Sequence, residues 1–250
     1  MFGNFHHFIY RFHTNGNWRY SDSVRALPGK AARQPPGPEP VTKDAAAADQ
    51  RRRILEATAD LVAEHGYQET TIETIVRQAK VGYATFYKHF EDKEAAFLEL
   101  LRAAMDRTAE RAEAAYRREE GPWPDRVGAA LGALFEDVVA HPNVAHACLV
   151  DSLTAGPKAV ELHEAALKRL APLLRPGREL RKHEAKLPDS LEETLAGGVV
   201  WVLNQRLLGG EVDRIRGLLP ESLEFLLRPY VGEDEAAREA GEVAEAISAA

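Results

Sequence analysis

A single cysteine, Cys148, is the whole thiol inventory of this 250-residue chain. One thiol closes no internal disulfide and supplies no cysteine-rich zinc site; beside Ala147, Leu149 and Val150 it reads as a small buried hydrophobe. No apolar run approaches the roughly 20 residues needed to span a bilayer, so no membrane partner is expected. The start, MFGNFHHFIYRFH, has no long aliphatic stretch or clean cleavage site and does not read as a signal peptide, which leaves a cytoplasmic location. A basic excess is also missing: 32 Lys and Arg stand against 39 Asp and Glu, a formal charge of −7. That excludes a surface coated in positive charge, but not nucleic-acid binding, which needs only a local cluster. There is no nucleophile elbow, phosphate loop, zinc-helix motif or recognisable carboxylate pair, so neither an enzyme nor a cofactor is expected. His6, His7 and His13 fit no zinc spacing, and His141 and His146, five apart, fall off one helical face; no metal is expected either.

What the chain does have is concentrated in Thr70 to Lys93, TTIETIVRQAKVGYATFYKHFEDK. Ile72, Ile75, Val76 and Ala79 recur at helical spacing and define an inward face, with Glu73, Arg77, Gln78 and Lys80 away from it. Thr70 or Thr71 caps the start, with Glu73 or Thr74 near the capping-box distance. A turn is expected at Lys80, Val81 and Gly82, where Val81 plugs the gap between helices and Gly82 tolerates the reversal. A second helix of about two turns follows. In it Ala84, Phe86 and Phe90 are expected to pack inward, while Tyr83, Thr85, Tyr87, Lys88 and His89 offer hydroxyls, a cation and an imidazole outward. Two short helices in this layout form a DNA-reading unit, the second entering the major groove.

Gly66-Tyr67, Thr70-Thr71-Ile72, Ile75, Val81, Thr85-Phe86-Tyr87-Lys88-His89-Phe90 and Lys93-Glu94, over roughly Arg51 to Phe97, resemble the TetR family of transcriptional regulators. One departure is Gly82, where the family often has Ser or Thr, so only a backbone N–H is left for the cap and phosphate contact. The resemblance implies an all-α fold: an N-terminal three-helix helix-turn-helix domain and a C-terminal helical domain for ligand binding and dimerisation. Its implied partners are double-stranded operator DNA, a second copy of the chain and a small-molecule effector. Tyr83, Thr85 and His89 are the expected base-edge readers, with Thr71, Tyr87, Lys88 and Lys93 as phosphate contacts and the Gly82 N–H beside them. Arg51, Arg52 and Arg53, with Lys80, Lys88 and Lys93, form the expected basic cluster. The alternative is a helical interaction protein that keeps this fold without sequence-specific reading.

Residues 1–48, with Pro35-Pro36-Gly37-Pro38 and Pro40, show no sustained period and are expected to be a disordered extension, or partly untranslated if synthesis starts downstream. The DNA-binding domain is placed at 49–95, its first helix from Asp49 to His65 with Gly66 stopping it. Domain 96–232 opens with a long helix to about Arg118, ended by Gly121-Pro122-Trp123-Pro124. Further helices are expected at about Asp125 to Ala140, Asn143 to Ala155, Lys158 to Leu174, Ser190 to Leu208 and Ile215 to Leu227, the last closed by Pro229-Tyr230. Arg175 to Pro188 reads as a polar loop, and 233–250 as a flexible acidic tail or frayed helix. Met105, Phe135, His146, Cys148 and Trp201 are the candidate effector contacts, with Trp123 a weaker one; pockets are mostly apolar with a few orienting polar groups. Leu195, Val199, Val202, Leu219, Leu223 and Leu226 are the expected dimer interface, two helices from each chain forming a four-helix contact.

Overall fold

The computed structural model describes residues 43–181 and 186–249, so nearly all of the expected N-terminal extension lies outside the described residues. Among them all regular structure is helical: α1 Lys43–Glu69, α2 Ile72–Ala79, α3 Tyr83–His89, α4 Lys93–Arg118, α5 Trp123–Ala140, α6 Pro142–Leu149, α7 Pro157–Leu170, α8 Leu191–Leu208, α9 Leu219–Val231 and α10 Glu233–Ser248. The all-α expectation holds.

The first three helices surround one small core, in which Ile54, Ala57 and Leu61 of α1 meet Ile75, Val76 and Ala79 of α2 and Phe86 of α3. Phe86 and Ile75 are fully buried, and full burial of such a side chain stabilises by roughly 1.5–3 kcal/mol. Helix α1 starts at Lys43, six residues before the expected Asp49, and breaks at Gly66, whose φ of 82° and ψ of 159° suit a residue without Cβ. Beyond it Tyr67 turns inward onto Phe97 of α4, ring centroids 4.7 Å apart.

Helix α4 leaves this unit and runs into the C-terminal domain, packing first on α1 and then along α5. The large core there joins α5, α8 and α9 through Leu131, Phe135, Val199, Leu203, Leu223 and Leu227.

Several sequence expectations need correction. The segment expected as a loop from Arg175 forms a 3-10 turn over Ala171–Leu180, and its Arg178 grips buried Glu192 of α8 with bonds of 2.6 and 2.8 Å. The helix expected to start near Ile215 instead starts at Leu219, after two short 3-10 turns. Pro229-Tyr230 does not close α9: Pro229 lies inside it, and buried Tyr230 donates to Glu192 at 3.0 Å. Residues 233–250 are not a flexible tail over their described length, because α10 packs on α9 through buried Ala236, Glu239 and Ala240. Small residues four apart let two helices approach closely without the large side chains that usually mark a buried face.

Candidate DNA-reading face and internal cavities

Thr71 caps α2 in a reciprocal box: its hydroxyl accepts from the Thr74 N–H at 3.2 Å, and the Thr74 hydroxyl accepts from the Thr71 N–H at 3.1 Å. Helix α2 ends at Lys80, which is left-handed at φ 53°, ψ 47°, and its N–H caps the helix. The sharp backbone therefore falls on Lys80 and not on Gly82. Gly82 is extended at φ −84°, starts α3 without a side-chain cap, and has open space where a Cβ would stand.

Helix α3 buries Phe86, with Phe90 beside it, and turns Tyr83, Ala84, Tyr87 and Lys88 to the outside. Ala84 was expected inside. At 100° per residue it lies nearly opposite Phe86, so the spacing already carried this placement. Thr85 is half-buried on the flank. His89 turns toward α1, its Nε2 3.2 Å from Gln50 Oε1, so the expected base reader sits against the scaffold. Burial, then the charges of Arg51 and Lys88, hold its pKa below the usual imidazole value.

The basic residues divide by task. Lys93 donates to the carbonyls of Tyr67 and Thr70, each at 2.8 Å, and lies 4.3 Å from the Tyr67 ring centroid. It neutralises orphan carbonyls after α1 instead of standing free as the expected phosphate contact. Arg53 donates to the Ala79 carbonyl at 3.0 Å, and Arg51 pairs with Glu99 and covers the Phe90 ring. Both pin α1 to its neighbours. Arg52 is exposed, in surface pairs with Asp49 and Glu56 that hold it weakly. Lys80, Lys88 and Arg77 are exposed cations; Arg77 was absent from the expected cluster although its outward position follows from the α2 period.

Two cavities lie in the C-terminal domain. The first, about 90 Å³, is bounded by α4, α5, α6, α7 and α8 and includes Met105 and Cys148 from the expected ligand set. Burial pushes the Cys148 thiol up to about 12. Phe135 lines neither cavity; it is fully packed in the core. His146 also lies off both, its Nδ1 2.8 Å from Asp151. Trp201 is 63% exposed on the outer face of α8. Trp123 is buried on Tyr230, its Nε1 donating to the Leu173 carbonyl at 3.1 Å. Missed by sequence reasoning were Arg107, Thr108 and Asp137, which meet at the first cavity because α4 and α5 lie side by side. Nothing in either helix alone signals that meeting.

The expected interface residues divide too. Leu195, Val199, Leu223 and Leu226 are buried within this chain, while Val202 and Leu219 are partly buried. The apolar surface of α8 and α9 consists of Trp201, Leu208 and Phe225, with the Phe225 ring packed over Gly198. Periodicity marks both faces of these helices as apolar; only packing decides which is covered. Among the described residues no group of three His, Cys, Asp or Glu side chains could hold a metal ion, and no helix is long and apolar enough to cross a membrane.

Residues 54–100 match the family model described as bacterial regulatory proteins, tetR family. The chain is 31% identical over 88 residues to YhgD of Bacillus subtilis, an uncharacterized HTH-type transcriptional regulator, covering 35% of this chain and 46% of that protein. It is 33% identical over 61 residues to the fatty acid metabolism regulator protein of Bacillus subtilis, covering 24% and 31%. The matches thus span less than half the length of these curated relatives. Among solved structures, the transcriptional regulator FadR from Bacillus subtilis in complex with stearoyl-CoA superposes with a TM-score of 0.62 at 19% identity, covering 70% of this chain and 97% of that one. That identity speaks for the fold alone. Residues 54–100 of this chain are thus similar to the bacterial regulatory proteins of the tetR family, within a helical order shared with the solved neighbour.

Proposed function

We propose that this chain is a ligand-responsive, DNA-binding transcriptional regulator that acts as a homodimer in the cytoplasm and represses from a palindromic operator. The observation that carries the reading is the braced helix-turn-helix: α3 is anchored by Phe86 and exposes Tyr83, Ala84, Tyr87 and Lys88 together. A short helix with one face buried and the other bare suits insertion into a major groove. Within it, Tyr83 and Thr85 face base edges, and Tyr87, Lys88, the Thr71 side and the Gly82 N–H face phosphates. Arg52 reaches the backbone by exchanging carboxylates for phosphates. Arg53, His89 and Lys93 support this surface from behind, a role that replaces direct contact.

Domain 49–95 is the reading head and 96–232 the sensing and pairing domain, to which α10 adds a packed helix. Pairing uses the exposed side of α8 and α9, centred on Trp201 and Phe225 with Val202 and Leu219 at the margin, while Leu195, Val199, Leu223 and Leu226 support it from within. An effector in the cavities, bordered by Met105 and Cys148, favours a state in which α4 tilts and the two reading heads no longer match successive grooves. The relatives named as transcriptional regulators, one in complex with stearoyl-CoA, support the sensing step. No turnover belongs to this reading.

Selection of bound sequences from a random DNA pool, followed by binding to the winner across a salt series, tests it. A palindrome bound by two copies, with affinity falling steeply as salt rises, is the expected result. No enriched sequence, with or without small molecules present, would leave a helical interaction protein on a retained scaffold.

A further inference from the structure

The two cavities, of about 90 and 80 Å³, share a wall: Leu134, Leu167, Leu170 and Val200 border both. The second is lined by apolar side chains throughout. The first carries its charge around one residue, buried Asp137 of α5. Asp137 accepts from Thr108 at 2.5 Å and Arg111 at 3.1 Å, while Arg107 stands off at 3.4 Å. The carboxylate is therefore well supplied with donors, and Arg107 and His141, both wall residues of the first cavity, stand farthest from it at 3.4 Å. The Arg107 Nε is buried and has no hydrogen-bond partner among the described residues. A buried donor without an acceptor is unfavourable, and an oxygen arriving beside it relieves that cost.

Neither cavity alone holds much: a cavity of about 150 Å³ accommodates benzene. A larger occupant must pass the shared wall, and for that its leucine side chains must change rotamer to make a narrow passage. A thin, unbranched chain fits such a passage; a fused ring system does not. We propose that the two cavities are the ends of one tunnel for an unbranched aliphatic chain carrying an acceptor-oxygen head, a carboxylate or a thioester carbonyl, with the chain crossing between Leu134, Leu167, Leu170 and Val200 and the head held at Arg107. This assigns a ligand class to the sensing step of the proposed regulator and rests on that reading. Because Arg107, Thr108 and Arg111 are all on α4, the head engages the helix that leads to the DNA-binding domain.

The test is direct binding to the full chain, by isothermal titration, of n-alkyl carboxylates, acyl-CoA thioesters, n-alcohols and n-amines over a range of chain lengths. Affinity is expected to rise about fourfold per methylene until the tunnel is full and then level off. Carboxylates or thioesters should bind better than alcohols, and amines worst; whichever of the first two binds tighter identifies the source of the head. Ala196→Leu narrows only the second cavity and should move the plateau to shorter chains. Val200→Phe, at the shared wall, should do so more strongly. Arg107→Gln should flatten the preference among heads and leave the gain per methylene intact. Affinity independent of chain length, or an unmoved plateau in Ala196→Leu and Val200→Phe proteins whose thermal unfolding remains cooperative, would overturn the tunnel. Equal binding of all four heads would overturn the role of Arg107. Operator binding measured in parallel separates the two readings: chain-length-dependent binding by a protein that selects no DNA removes the regulator and keeps the tunnel, and the converse removes the tunnel alone.

Discussion

At the scale of single residues, the turn between α2 and α3 is built the opposite way from what its glycine suggests. Lys80 takes the left-handed conformation and Gly82 takes an ordinary extended one. A left-handed non-glycine residue costs roughly 1–2 kcal/mol, of which the added unfolded-state freedom of glycine offsets about 0.4–1. Lys80→Gly is therefore expected to stabilise the domain by about 0.5–1 kcal/mol, read as a higher urea midpoint at unchanged slope. A lower midpoint would mean that the lysine side chain contributes more than its backbone strain costs. Lys88 is exposed on the reading helix, and Lys88→Ala should weaken all DNA sequences alike and reduce the salt slope by about 1, whereas Lys93→Ala should instead lower thermal stability by releasing the carbonyls of Tyr67 and Thr70. Cys148, its thiol pushed up to about 12 by burial, should resist iodoacetamide in the native protein at pH 8 and react quickly in denaturant. Rapid native labelling would show that the cavity wall opens readily.

At the scale of elements, α10 is held in part by an acid whose charged form is disfavoured by burial. Glu239 is buried, and desolvation raises its pKa; Asp125 and Glu242 raise it further, while Arg238 opposes them. A carboxyl whose folded pKa is raised contributes stability fully present below the unfolded value near 4.5 and lost as pH climbs through the folded value. The docking of α10 should therefore weaken as pH climbs above the unfolded value. Glu239→Gln should narrow that loss, seen as a thermal midpoint that varies less with pH than that of the unaltered chain. On α8 and α9, Trp201→Glu places a charge in the middle of the exposed apolar surface and should shift sedimentation toward the monomer without loss of helical content. An unchanged sedimentation coefficient would move the pairing surface elsewhere.

At the scale of the whole molecule, α4 is the element shared by the proposed reading head and the first cavity. Its start, capped by Asp92 accepting from the Ala95 N–H at 2.7 Å, belongs to the N-terminal unit, where Ala96 joins the small core. Further along it supplies Met105, Arg107 and Thr108 to the first cavity. Helix α6 gives a second link: its Ala147 and Cys148 share a cluster with Ala59 and Val62 of α1, and Asn143 donates to Asp60 at 2.8 Å while Gln78 of α2 donates to the same carboxylate at 3.2 Å. Removing this bridge with Asp60→Ala should reduce the change in operator affinity that a saturating ligand produces while leaving ligand affinity nearly unaltered. A ligand effect of unchanged size would assign the coupling to α4 alone.

What the sequence determined by itself is local in origin. The helical class, the order of the helices, an α2 cap at Thr70 or Thr71 and the inward Phe86 and Phe90 all follow from spacing and capping within a few residues. Even the corrected orientation of Ala84 was present in the period of α3. Tertiary structure decided whatever depends on which helix lies beside which. It turned His89, Arg53 and Lys93 from free groups into braces, covered Leu195 and Val199 while leaving Trp201 bare, and brought Arg107 to Asp137 across two helices. A side chain's periodicity fixes the side of the helix it occupies, but its partner is chosen by packing between segments distant in the chain.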